Sequence, residues 1–146
     1  VRHLPLNFPV TIVTEGLDVI STIGEDHNAK VIVLGSTVNY KERHFEGLIN
    51  ESLLSKINIK KFFLGTAGVS INGGVSVYTL EYANFFHQIF SNRCEIILMA
   101  DHTKIGYDAP GKIFDLNQLD VFITDNKADK KFIKECQKLG VKCICA

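Results

Sequence analysis

Two stretches of this 146-residue sequence hold residues suited to binding a small anion. In the first, the apolar run Phe62-Phe63-Leu64 enters glycine turns at Gly65, Gly68, Gly73 and Gly74, then reaches Thr79 and the carboxylate of Glu81 at a predicted helix start. Glycine takes positive φ and keeps a Cβ out of a ligand's path, and the first N–H groups of a following helix attract anions. A small phosphorylated or hydroxylated molecule would suit such a backbone pocket. The second stretch, Asp101-His102-Thr103-Lys104, places an ammonium and a carboxylate just after the apolar run Glu95 to Ala100. Taken alone, Glu81 reads as a first-turn acid stabilising its own helix, Lys104 as a solvated lysine, and Gly73-Gly74 as a tight hairpin turn between Ile71 and Val75.

The elements that must position these groups follow from hydrophobic spacing. Val10 to Thr14, Val31 to Leu34, Lys61 to Gly65, Glu95 to Ala100, Val121 to Thr124 and Val141 to Cys145 are short apolar runs that read as strands. Between them, Gly16 to Ile23 has room for about two helical turns, and Ile49, Leu53, Leu54 and Ile57 follow helical spacing. Tyr82, Phe85, Phe86, Ile89 and Phe90 share one side of a helix that starts near Thr79. The last helix is expected to be capped by Asn126, with Asp129 in its first turn, a stripe of Phe132, Ile133, Cys136 and Leu139, and a stop at Gly140. Strands alternating with amphipathic helices predict an α/β fold: a three-layer, mostly parallel sheet with helices on both faces. In such sheets ligands sit at the carboxyl ends of the strands, and both candidate stretches fall there.

Composition sets the outer limits. The length suits one domain, 1–146, with enough apolar content to bury a core. Sixteen lysines and arginines balance sixteen aspartates and glutamates, so the summed field gives no drive toward DNA or an anionic membrane surface. No run is long and apolar enough to span a bilayer, and a cytoplasmic location is the expectation. Cys94, Cys136, Cys143 and Cys145 lack Cys-x-x-Cys spacing and read as buried or half-buried free thiols, not zinc ligands. His44 and His102 have no second histidine or carboxylate at metal-ligand spacing, so surface or capping roles are expected, with no metal and no cofactor. The lysines from Lys127 to Lys138 read as a solvated face. Gly35-Ser36-Thr37 could cradle an oxyanion with main-chain N–H groups and two hydroxyls.

The glycine-rich stretch resembles the C-terminal sensor domain of DeoR-type bacterial transcriptional repressors, whose wording is close to F-L-G-A-D-G-I, G-G-L-T-T and L-E-E. Here it reads Phe62-Phe63-Leu64-Gly65-Thr66-Ala67-Gly68-Val69. Ile96 to Gly106 looks like the family's I-L-L-A-D-S-S-K-F-G, Leu119 to Asp125 like its I-D-T-L-I-T-D, and Val31 to Thr37 like its V-I-L-L-G-G-T. The match spans roughly Phe8 to Ala146, and several ordered blocks at family-like spacing carry it. The resemblance implies the fold of ribose-5-phosphate isomerase and the CoA-transferases. It also implies an effector pocket bordered by Gly65, Gly68, Gly73, Gly74 and Thr79, with Glu81 accepting hydrogen bonds from sugar hydroxyls and Lys104 meeting phosphate or hydroxyl. Asp101 would orient Lys104 or the loop backbone. Ala67 stands where the family usually has aspartate, and Gly35-Ser36-Thr37 matches its L-G-G-T and not its phosphate loop.

The function implied is a ligand-sensing and oligomerising domain whose effector is a sugar phosphate. DNA would be met only through an N-terminal helix-turn-helix that is absent here, as the first strand and phosphate loop of the sensor domain are also expected to be. The alternative is a phosphosugar isomerase of the same fold. Such an enzyme needs a carboxylate base and groups to hold an enediol oxyanion. Glu81 and Lys104 fall where the isomerases keep a glutamate and lysine. Their Asp-Gly-Ala-Asp turn, however, reads Leu64-Gly65-Thr66-Ala67, and the lysine before their glycine loop is Asn72. Binding without catalysis is the expectation, so no catalytic residue is assigned.

Overall fold

The computed structural model describes residues 1–24, 27–47, 56–80, 82–83, 86 and 94–146. These fall in two compact units, Val1–Leu53 and Leu54–Ala146.

In the first unit, β1 (Val10–Thr14) and β2 (Ala29–Val33) pair in parallel around the crossover helix α1 (Leu17–Thr22). β3 (Thr37–Asn39) and β4 (His44–Glu46) form an antiparallel hairpin that periodicity had not predicted. The hairpin accounts for Gly35 at φ +96°: a Cβ there would press on the backbone of Phe45 and Glu46. Ser36 N donates to Glu46 O at 2.8 Å, so one amide of the possible oxyanion cradle is spent on the fold.

The second unit holds a parallel sheet in the order β11-β10-β8-β5, made of Lys142–Cys145, Val121–Thr124, Glu95–Met99 and Lys61–Leu64. The mostly parallel α/β architecture expected from the sequence is therefore present. β8 is covered on both faces, since Ile96, Ile97 and Leu98 are all buried, which is what a continuous apolar run in a parallel sheet requires. An antiparallel sheet of β6 (Gly68–Ser70), β7 (Gly74–Val77) and β9 (Gly111–Phe114) completes the unit. One core joins the two sheets: Leu64 and Leu98 of the parallel sheet belong to the same buried cluster as Val69, Val75 and Ile113.

Helix α2 (Lys130–Lys138) packs on this core through Phe132, whose ring meets Phe122 edge to face at 5.9 Å between centroids, and through the fully buried Cys136. Its start differs from expectation. The N-cap is Asp129, whose side chain accepts from Lys131 N at 2.9 Å, and not Asn126. The reason is a competing turn: Asp125 accepts Lys127 N on its carboxylate and Ala128 N on its carbonyl, so the chain turns once before helix begins. Leu139, placed in the apolar stripe by spacing, is the C-cap and is exposed. Gly140 at φ +90° ends the helix as predicted. Gly140 N bonds Gln137 O and Val141 N bonds Cys136 O, the paired arrangement of a Schellman stop.

All four cysteines are free; Cys94 and Cys143 are half-buried and Cys136 buried, but Cys145 is exposed because it ends the edge strand. Glu25, Asp26, Ile49, Leu53, Leu54, Glu81, Phe85, Ile89 and Phe90 lie outside the described residues. Among the described residues, no helix is long and apolar enough to cross a membrane.

Candidate functional site

Parallel pairing brings three loops to one edge of the main sheet. Leu64 is opposite Leu98 and Met99 is opposite Ile123, so the carboxyl ends of β5, β8 and β10 lie side by side. Gly65, the Asp101–Lys104 turn and Asp125 follow directly from those ends. The antiparallel sheet is tied to the same place by a bridge between Val69 and Ile105 and by Gly106 N donating to Val69 O at 2.8 Å. The glycine-rich stretch and the Asp-His-Thr-Lys turn are thus joined across some thirty residues of sequence.

The glycines divide into two kinds. Gly65 has no atom of its own chain within contact distance of where a Cβ would stand, so its backbone is open to a ligand. Gly68, Gly73 and Gly74 are closed by the protein itself: a Cβ would meet Tyr107 O, the Asp108 carboxylate and Phe114 O respectively. Gly74 also has φ +76°. Gly73 and Gly74 lie at the bend between β6 and β7, the hairpin that the two residues alone predict. Behind this bend, the buried hydroxyl of Ser76 donates to Gly68 O at 3.1 Å and accepts Ala109 N at 2.9 Å. Thr66 Oγ1 sits 2.6 Å from Ser76 O and 2.8 Å from Gly68 O. These contacts fix the backbone at Gly65 and Gly68 from within. Thr79 is exposed, and its carbonyl accepts Ala83 N at 3.3 Å, the first helical bond of the segment that follows.

Asp101 caps a single 3-10 turn, His102–Lys104. Its Oδ1 accepts Thr103 N at 2.8 Å, and its carbonyl accepts Lys104 N at 3.1 Å. Hydrogen bonds from the Thr103 hydroxyl and amide hold the Asp101 carboxyl below its usual range. Asp101 therefore orients the loop backbone, and the backbone carries Lys104. The half-buried Lys104 side chain has no hydrogen bond or ion pair among the described residues, although its charge helps lower Asp101.

Spacing alone missed Asp125. Its Oδ2 accepts both His102 N at 2.8 Å and His102 Nδ1 at 2.9 Å, while Oδ1 accepts Lys127 N at 2.7 Å. The backbone and ring N–H groups of His102 pull the Asp125 carboxyl down to about 2. His102 is consequently not a loose surface ring: it clasps the loop after β8 to the loop after β10. Asp101, His102 and Asp125 offer ligand atoms within 4.8 Å of one another, a grouping invisible to local spacing because the strands that carry it are neighbours in the sheet and not in the chain. The usable signal was the polar residue at the carboxyl end of each of two adjacent buried strands.

A profile of the family described as "DeoR C terminal sensor domain" matches residues 1–126. Among curated proteins, the HTH-type transcriptional regulator IolR of Bacillus subtilis (strain 168) is 27% identical over 129 residues, which is 88% of this chain and 51% of that protein. The HTH-type transcriptional regulator GolR of Listeria innocua is 24% identical over 132 residues, 90% of this chain and 52% of that one. The lactose phosphotransferase system repressor of Staphylococcus aureus (strain NCTC 8325 / PS 47) is 28% identical over 124 residues, 84% and 49% of the two chains. The chain spans about half the length of the curated relatives it matches. With the profile covering both compact units, this chain belongs to the DeoR C-terminal sensor domain family, the sensor half of helix-turn-helix transcriptional regulators.

Proposed function

We propose that this domain senses a phosphorylated sugar and, through oligomerisation, passes that signal to a helix-turn-helix module N-terminal to it. The observation that carries the reading is the alignment of three strand ends in the Leu54–Ala146 unit. Gly65 offers open backbone there and the Asp101-capped turn holds Lys104 without a fixed anionic partner among the described residues. An ammonium free of an ion pair can meet a phosphate or a sugar hydroxyl at no cost of breaking an existing pair. Relatives named for the lactose phosphotransferase system and for transcriptional regulation support a sugar-derived effector and a cytoplasmic place of action beside DNA. Glu81, Gly68, Gly73, Gly74, Thr79 and Asp101 are assigned to the same effector site, the glycines as its shape and Asp101 as the support of Lys104.

Effector binding acts by differential affinity for two arrangements of the sensor domains, which sets the spacing of the DNA-reading helices. A thermal-shift panel of hexose and pentose phosphates against their unphosphorylated sugars tests the assignment. At least one phosphate ester should raise the melting temperature in a saturable way where its parent sugar does not. Turnover of ribose 5-phosphate that is lost in Glu81→Gln would instead make the domain an isomerase and overturn the reading.

A further inference from the structure

A cleft of about 380 Å³ opens between the 102–106 loop and helix α2. Ile71, Ile105 and Phe132 give it an apolar wall, and His102, Lys127 and Lys131 give it cationic and imidazole groups. Neither Lys104 nor Gly65 borders it, so it is a place apart from the proposed effector groups, on another side of the same turn.

Its acids are already engaged. Asp129 Oδ1 accepts Lys131 N as the helix cap, and Glu135 pairs with Lys138 at 2.7 Å. Lys127 and Lys131, by contrast, have no ion-pair partner among the described residues. The segment from Lys127 to Lys138 carries five lysines against these two acids in a chain whose formal net charge is zero, so the positive excess is local. His102 is held for a purpose beyond packing. Asp125 is an ionised acceptor, which keeps a proton on His102 Nδ1 and leaves Nε2 as the nitrogen available to a ligand. The first turn of α2 adds the favourable end of its dipole to the same side.

We propose that this cleft is a second anion site, taking a small phosphate or phosphate monoester whose non-phosphate part rests on Phe132 and Ile105. Because His102 belongs to the turn that carries Lys104, occupancy of the cleft is coupled to the effector site through the Asp101–Lys104 backbone. The apolar wall favours a compact monoester over an extended polyanion.

The test is an amide and imidazole NMR titration of this chain with inorganic phosphate, and separately with glycerol phosphate, at constant ionic strength. Saturable shifts at Lys127 to Lys131 and at His102 are expected. Lys127→Ala and Lys131→Ala should each weaken binding about fivefold, and Lys104→Ala should leave the shifts in place. Shifts that never saturate, that chloride reproduces, or that survive both lysine variants unchanged would overturn the site. The two proposals fail separately: saturation here with no sugar phosphate response at Lys104 removes the sensing assignment, and the reverse removes this cleft.

Discussion

Asp125 shows what a single carboxylate contributes when it accepts from three N–H groups. The contacts are made by the ionised form, so the folded value of about 2 lies below the value of 3.8 for an unperturbed aspartate. The stabilisation is therefore complete above about pH 4, declines as pH falls, and is gone once the pH passes below the folded value. A carboxyl-carbon NMR titration should place the Asp125 midpoint near 2, and an ordinary midpoint would refute the clasp. Asp125→Asn should loosen the turn at His102, seen as faster amide exchange of His102 and Thr103. Ser76 makes a second single-residue case: Ser76→Ala leaves Ala109 N without an acceptor in the interior and should cost about 1–3 kcal/mol by chemical denaturation. Sequence could show the residue types of this site, but not the His102–Asp125 contact, which joins positions 23 apart through sheet neighbours.

At the scale of elements, the two best-defined glycine turns differ in a measurable way. Gly140 at φ +90° has nothing near its missing Cβ, so Gly140→Ala costs only the left-handed backbone, about 1 kcal/mol. Gly74 has the same backbone demand, and its Cβ would also strike the Phe114 carbonyl, so Gly74→Ala should cost about 3 kcal/mol or more. Equal costs in urea unfolding would contradict the hairpin packing. Thiol reactivity separates two further elements. Burial in the α2 interface pushes Cys136 up to about 12, whereas Cys145 on the edge strand is exposed, so Cys145 should alkylate in the folded state and Cys136 only on unfolding. The buried parallel strands were legible because continuous apolar runs leave few alternatives. β3, β4 and β6 have only three residues each, too few to display a period of two, and β9 is little longer. The start of α2 was misplaced because Asp125 forms a local turn that composition does not distinguish from a cap.

For the whole molecule, membership in the sensor family accounts for the order of the blocks, and the parallel register accounts for why blocks distant in sequence share one edge of the sheet. The family resemblance was readable from Gly65, Asp101-x-Thr103-Lys104 and the strands between them. What it could not supply was which glycines serve the fold and which face open space. The most direct measurement is calorimetric titration of this chain with a hexose or pentose phosphate that stabilises it, set against the unphosphorylated sugar and against Lys104→Ala. The account predicts saturable binding of the phosphate ester, loss of at least tenfold in affinity in Lys104→Ala, and no comparable binding of the free sugar, since a charged contact of this kind is worth about 1.5–3 kcal/mol. Equal affinity for the sugar with and without its phosphate, or no change in Lys104→Ala, would contradict it.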